Sequence, residues 1–394
     1  MKKAFKTEIK PTEQQRINIH HTIGVCRFLY NLFLAYNKEI YEQFKSGTKE
    51  YGYVSGNDFD KYVNNELSAQ EGYEWIKQAG SKARKKAIMN AHTAFKRFFK
   101  GQSKFPRFKK KKNQDVKAYF PKNNQTDWTV ERHRIKIPTF GWVRLKEFGY
   151  IPSHAKVISG TVSQKAGRYY VSVLCEMKQV PKVESLTSKG LGIDVGIKTF
   201  ATTSDETTYK NINKTIRVKK LEKRLRREQR SLSRKYEALK KQTKGGETAA
   251  KKRANLDKNL FRVQKLHARL SNIRNEYVKS VVNECVKTKP RYITIEDLNV
   301  NGMMKNRHLS KAVAQQCFYY FKTLLTRKCN QHGIELRQVN RWYPSSKLCS
   351  CCGQKKKDLQ LKDRTYTCGC GNTMDRDLNA SVNLAQATEY IVLT

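Results

Sequence analysis

Apolar residues at Ile19, Ile23, Phe28, Leu32, Tyr36, Ile40 and Phe44 recur at helical intervals, and Thr12-Glu13-Gln14-Gln15 ahead of them has the form of a capping box. The spacing predicts one long amphipathic helix from just after Pro11 to near Gly47. A second helical stretch runs from about Ala83 through Ala94, Phe95 and Phe98, with lysines on its other face, so residues 12–100 read as a small helical domain. From about 115 to 178 the period changes to two, as in Val171, Val173, Cys175 and Met177 alternating with more polar neighbours. Ala166-Gly167 divides two such runs, which predicts antiparallel strands closing into a small barrel.

Residues 190–204 read as a buried strand and its return, and Tyr292 to Asp297 as a further strand. Between them the pattern predicts a helical hairpin. Leu221, Leu225, Leu232, Tyr236 and Leu239 mark its first arm, Gly245 and Gly246 its turn, and Leu256, Leu260, Val263, Leu270, Ile273 and Tyr277 its second. The apolar seam is packing; the other face is dense in Arg and Lys and is expected to meet nucleic acid.

Charge narrows the function. Lys and Arg number 80 against 34 Asp and Glu, a formal +46 over 394 residues, and such a chain repels itself unless a polyanion neutralises much of the excess. A basic ribosomal-type binding protein would share the charge, but 17 Phe and 20 Tyr with 38% hydrophobic residues indicate folded cores. The opening MKKAFKTEIKPTEQQ has no apolar stretch behind it, and no run of about 18 apolar residues follows anywhere, so no membrane partner and a soluble, cytoplasmic protein are expected. Lys104-Phe105-Pro106-Arg107-Phe108 with Lys109, Lys110, Lys111 and Lys112 reads either as a solvated linker or as a segment that grips phosphates and stacks its rings on bases.

Three acidic positions could carry chemistry. Asp194 lies in the strand Leu191 to Ile197 with Gly192 and Gly196 on the same face, where two missing side chains would leave it open to a phosphate backbone. Glu296 ends the strand Arg291 to Glu296, sharing a face with Tyr292 and Thr294. Asp375 and Asp377 stand at the start of a last helix containing Ala380, Leu384 and Ala387. Each alone has an ordinary explanation, as a turn residue, an exposed carboxylate or a helix cap. Together, two strand ends and a helix start could hold two Mg²⁺ ions about 3.5–4 Å apart for phosphodiester hydrolysis.

Five of the ten cysteines crowd into one stretch. Cys349 and Cys352 form C-x-x-C before Gly353, and Cys368 and Cys370 form C-x-C before Gly371, the form of a tetrahedral structural Zn²⁺ site. Cys351 could replace Cys352, but Gly353 beside Cys352 frees the tight turn that a knuckle needs. Cys26, Cys175, Cys285, Cys317 and Cys329 stand apart and read as buried thiols.

The stretches EQQRINIHHTIGVCRFLYN, FPRFKKKK, GIDVGIKTFA, ITIEDLNV, PSSKLCSCCG and TYTCGCGNTMDRDLNASVN, in this order over nearly the whole chain, resemble the TnpB family of transposon-encoded nucleases related to type V CRISPR effectors. Many relatives have C-x-x-C where this chain has Cys368-Gly-Cys370. The resemblance implies an RNA-guided DNA endonuclease, the alternative being a guide-RNA-dependent DNA-binding repressor with weak or no cleavage. It implies a guide RNA from the transposon right end, double-stranded target DNA, a short target-adjacent motif and a monomeric ribonucleoprotein. The implied fold is multidomain α+β, in four parts. These are a wedge β-barrel (1–11 and 102–185), a helical recognition domain (12–101), a RuvC/RNase H-like nuclease domain (186–346 and 372–394) and an inserted zinc ribbon (347–371). Asp194, Glu296 and, by the following Leu378-Asn379-Ala380-Ser381, Asp377 are the implied catalytic acids. Tyr53, Ser55, Lys82, Lys85, Asn123 and Asn124 are placed by rough position as readers of the adjacent motif, with Lys109 and Lys110 among the nucleic-acid contacts.

Overall fold

In the computed structural model, which describes residues 2–122, 127–153, 155–177, 186–242, 249–360 and 362–393, strand β1 (Lys2–Lys10) leads into helix α1 (Glu13–Lys45) through the expected capping box. Thr12 Oγ1 accepts from the Gln15 N–H at 3.3 Å, and Gln15 Oε1 accepts from the Thr12 N–H at 3.0 Å. Two orphan donors of the first turn are thereby satisfied. Helices α2 (Gly56–Asn65) and α3 (Ser81–Phe99) pack on α1 around Phe33, whose ring lies 5.2 Å from Phe59 and 6.0 Å from Phe95.

Strands β2 (Ala118–Pro121), β3 (Thr129–Val130), β4 (Arg134–Ile137), β5 (Gly141–Leu145), β6 (Lys156–Lys165) and β7 (Arg168–Glu176) join β1 in a seven-stranded sheet. Its order is β2-β6-β7-β1-β5-β4-β3, antiparallel throughout. The predicted turn is there: Ala166 and Gly167 both have positive φ, 51° and 75°, and the two-residue loop joins Lys165 to its partner Arg168. A closed barrel was the expectation; among the described residues the ladder ends at β2 and β3 without pairing them. Phe5, Ile135, Val143, Val162 and Val171 share one buried cluster with Ile19, Cys26, Ala83 and Ala87 from α1 and α3. Helices and sheet are thus one unit, Met1–Gln179.

The second unit, Val180–Thr394, is built on a mixed six-stranded sheet. Along the chain it runs β8 (Leu191–Val195), β9 (Thr199–Thr203), β10 (Thr208–Lys210), α4 (Ile216–Gln242), α5 (Ala249–Lys287), β11 (Tyr292–Ile295), α6 (Val300–Lys305), α7 (Ser310–Gln316), α8 (Phe318–His332) and β12 (Glu335–Gln338). After these come β13 (Thr365–Thr367), β14 (Thr373–Asp375), α9 (Arg376–Gln386) and β15 (Ile391–Val392). The sheet order is β10-β9-β8-β11-β12-β15, with β8, β11 and β12 parallel and the outer strands antiparallel. Ile193, Ile293, Ile295 and Leu336 face Val281, Val282, Phe321 and Leu325 of α5 and α8, while α9 lies on the opposite face of β8. Val218, Leu221, Leu225, Val263, Leu266 and Leu270 form the seam of the α4–α5 hairpin; its predicted turn at Gly245 and Gly246 lies outside the described residues.

Candidate active site and cysteine centre

Period-two alternation sends Ile193, Ile293 and Ile295 into the core and turns Asp194 and Glu296 toward α9. In the parallel pair, Thr294 stands opposite Gly192 and Ile295 opposite Ile193. One step further along the same register sets Glu296 beside Asp194, on strands about 4.8 Å apart.

Gly192 determines how close α9 comes. A Cβ on it would lie 1.9 Å from the Ser381 carbonyl oxygen and 2.5 Å from the Ala385 nitrogen, both backbone. The expectation that Gly192 clears a path for a phosphate is therefore corrected: its missing side chain is filled by the helix. At Gly196 a Cβ would meet the Thr199 carbonyl oxygen at 3.2 Å, so that glycine serves its own turn. From Gly192 two strand residues, about 6.7 Å, lead to Asp194; from Ser381 one helical turn back, about 6 Å, leads to Asp377. The steps match, and the Asp194 carboxyl is pushed well above the usual carboxylate range by burial first, then by the charges of Glu296 and Asp377, with Arg376 partly offsetting them. Glu296 is also raised by burial, against which the hydroxyl of Ser345, donating to its Oε1, stabilises the ionised form. As whole residues, Asp194 and Glu296 are partly exposed.

The two aspartates at the helix start divide their work. Asp375 is the N-cap, its Oδ1 accepting from the N–H groups of Asp377 at 2.8 Å and Leu378 at 3.2 Å. Asp377 sits in the first turn, with Arg376 at 3.8 Å and Arg364 at 3.9 Å.

Sulfurs of Cys349, Cys352, Cys368 and Cys370 all lie within 4.8 Å of one another, with Cys349 to Cys370 and Cys352 to Cys368 both 3.6 Å. A tetrahedron of thiolates about 2.3 Å from a zinc has edges of about 3.8 Å, so the donor set and its spacing fit that ion. Among the described residues this is the one group of three or more His, Cys, Asp or Glu side chains gathered so tightly; the three acids are more open. Gly353 (φ 75°) and Gly371 (φ 87°) supply the left-handed turns after each pair. The N–H of Gly353 reaches the Cys349 carbonyl at 2.9 Å and that of Gly371 the Cys368 carbonyl at 3.0 Å. Cys351 stands exposed outside the group.

Sequence reasoning missed the ties between this centre and the acids. Asn379 Nδ2 donates to the Leu348 carbonyl at 2.6 Å while its Oδ1 accepts from the Ser350 N–H at 3.0 Å. Asn383 Nδ2 donates to the carbonyls of Ser345 and Leu348, both at 2.8 Å. Two asparagines one turn apart on a buried helix face, beyond an acidic pair, were the available signal.

In the first unit, Tyr53 is half-buried, its hydroxyl 2.7 Å from His92 Nδ1, and Ser55 caps α2. Lys82 and Lys85 lie exposed on α3, the latter 3.7 Å from Asp60. Lys109 reaches Asp115 at 3.0 Å, and Lys110 is exposed. Asn123 and Asn124 lie outside the described residues.

Residues 172–307 match the family described as "Probable transposase", 318–384 the Cas12f1-like TNB domain, and 1–46 a helix-turn-helix domain, although residues 2–45 here form a strand and one long helix. A Streptomyces pristinaespiralis protein named "Putative RNA-guided DNA endonuclease" is 30% identical across 98% of this chain and 89% of its own. The Escherichia coli K12 protein of the same name, InsQ, is 29% identical across 99% and 93%. A Cas12f1–sgRNA–target DNA complex shares the fold at TM-score 0.54, with 14% identity and 99% of both chains covered. With matched relatives spanning nearly its whole length, the chain belongs to the TnpB family of RNA-guided DNA endonucleases.

Proposed function

We propose that this protein cleaves target DNA by two-metal phosphodiester hydrolysis under the direction of a bound guide RNA. The observation that carries the reading is the convergence of Asp194, Glu296 and Asp377 from two neighbouring parallel strands and a helix start, with Glu296 raised by burial and Asp194 raised by burial and by the charges of the other two. Such a group is costly to the fold unless cations answer it. Divalent ions held there would activate a water and stabilise the leaving oxygen. The chain's own part is orientation: Ser345 fixes Glu296, the α9 start presents Asp377, and Asp375 keeps that start ordered by capping it.

In this reading, 186–346 with 372–394 is the RuvC-like nuclease, and 347–371 is a zinc ribbon held by Cys349, Cys352, Cys368 and Cys370. Residues 1–11 with 102–185 form the wedge and 12–101 the recognition helices. The formal +46 supports many phosphate contacts, and exposed Lys82, Lys85 and Lys110 are suited to make some of them.

The test is to express the protein with its flanking locus, sequence the RNA that copurifies, and assay a matched duplex with Mg²⁺. A discrete RNA that directs cutting is expected, with Asp194→Ala abolishing cleavage and leaving target binding. Target binding without cleavage by the wild type would instead mark a guide-dependent repressor.

A further inference from the structure

Trp342 is the most exposed large apolar side chain among the described residues, with 85% of its surface open. The loop that carries it is nevertheless fixed on both sides. Asn340 Oδ1 accepts from the Trp342 N–H at 2.9 Å, and the Asn340 carbonyl accepts from the Tyr343 N–H at 3.0 Å. Arg341 donates to Asp297 Oδ2 at 2.6 Å, and the Tyr343 hydroxyl donates to the Asn383 carbonyl of α9 at 3.1 Å. Three residues on, Ser345 meets Glu296. An indole carried into water by a loop that is already fixed is a ring prepared for contact, because ordering the loop is not a cost left for the binding step.

Its neighbourhood indicates what the ring contacts. A groove of about 760 Å³ opens at Glu296 and is lined by Arg341, Lys322 and Arg327, with Tyr319, 77% exposed, along it. Cations beside exposed rings suit a polyanion whose bases are free to stack. A base still inside a duplex is already stacked, so the occupant must be unpaired. A protein partner could anchor on a tryptophan, but it would have no reason to meet a cationic groove that ends at an acid of the proposed active site.

Resting on the nuclease reading above, we propose that Trp342 is a stacking platform for an unpaired base of the DNA strand delivered to the carboxylates, with the groove cations following its backbone. Stacking on an aromatic side chain is worth about 1–3 kcal/mol per base, which sets the scale of the effects below at roughly tenfold.

The binding arm uses guide-free protein without Mg²⁺, titrated with short oligothymidylate. The chain has four tryptophans, so the quenching by Trp342 is the difference between wild type and Trp342→Phe. A clear difference is expected, with Trp342→Ala weakening binding roughly tenfold by anisotropy and Trp342→Phe restoring most of it. The cutting arm uses guide-loaded protein. Single abasic substitutions are walked along the DNA strand near the cut and along the guide. One DNA position should reproduce the Trp342→Ala loss and add nothing to it. The proposal is overturned if oligothymidylate binds with no Trp342-dependent quenching. It is equally overturned if Trp342→Ala binds and cuts as wild type, or if a guide position rather than a DNA position reproduces the loss. A wild type that carries no RNA and cuts nothing would refute the nuclease reading, while the quenching arm would still decide the platform.

Discussion

The hydroxyl of Ser345 donates a hydrogen bond to Oε1 of Glu296, across 49 residues of sequence and from the loop that leads into the cysteine centre. A hydrogen bond to a charged group is worth about 1.5–3 kcal/mol, and this one favours the ionised carboxylate. Ser345→Ala should therefore cut roughly tenfold or more slowly, with the Mg²⁺ concentration for half-maximal rate raised and guide-directed target binding unaltered. An unchanged Mg²⁺ requirement would mean that the hydroxyl does not act through Glu296.

Asp375 and Asp377 should separate cleanly under substitution. Removing the Asp375 cap costs about 1 kcal/mol of stability, which Asp375→Asn should largely restore, because its amide oxygen can still accept from the Asp377 and Leu378 N–H groups. Cutting by Asp375→Ala should persist in part. Asp377→Ala should eliminate cutting at matched Mg²⁺ on guide-loaded protein, with its melting temperature close to wild type. The reverse ranking would make Asp375 the ligand.

Local pattern carried much of the second unit's chemistry. Alternation set Asp194 and Glu296 each on one side of its own strand, and paired cysteines beside glycines marked the candidate metal centre. Register across the parallel strands was not legible, because nothing local links Gly192 to Thr294, about a hundred residues later. Gly192 was misread for the same reason: its purpose depends on where α9 comes to rest. Ser345, Asn379 and Asn383 act across 29 to 49 residues and have no periodic signature. In the first unit, Tyr53 and Ser55 turn out to be engaged with His92 and the start of α2, contacts that only packing reveals.

Gly192→Ala should be among the most damaging small substitutions in the chain. The added carbon meets helix backbone, which cannot rotate away as a side chain would, and this sets the cost at the upper end of the usual about 1–3 kcal/mol for overpacking. Gly24→Ala is the matched control: it lies within α1, nothing stands within 4 Å of its added Cβ, and it should gain about 1 kcal/mol from helix propensity. Melting curves of the two variants decide the matter; equal stabilities would show that α9 does not press on β8 as described.

One zinc per chain is expected by metal analysis, with Cys352→Ser losing it and Cys351→Ser retaining it. Burial raises the Cys349 thiol, but the backbone N–H groups of Cys352 and Cys351 and the Asn372 amide outweigh it and bring it down to about 6. A thiolate is thus available near neutral pH, where zinc ligands must be deprotonated. Zinc retained by Cys352→Ser and lost from Cys351→Ser would move the knuckle to Cys351.

The last prediction concerns pH. Asp194 and Glu296 both have folded values raised above their ordinary carboxylate range, by burial and, for Asp194, by the neighbouring acids. A raised carboxyl contributes stability below its unfolded value, about 3.9 for Asp and 4.3 for Glu, and loses that contribution as pH rises through the folded value. Metal-free Asp194→Asn should accordingly melt above wild type at neutral pH, and the gap should close as pH falls below about 4. Mg²⁺ should raise the wild-type melting temperature at neutral pH and leave the variant nearly unmoved, because the ion answers the charge that the variant lacks. Protons and Mg²⁺ then compete for the same oxygens, so the acidic limb of the cleavage-rate profile should move to lower pH as Mg²⁺ is increased. A limb that stays fixed across Mg²⁺ concentrations would place the titrating group elsewhere and remove these carboxylates from metal binding.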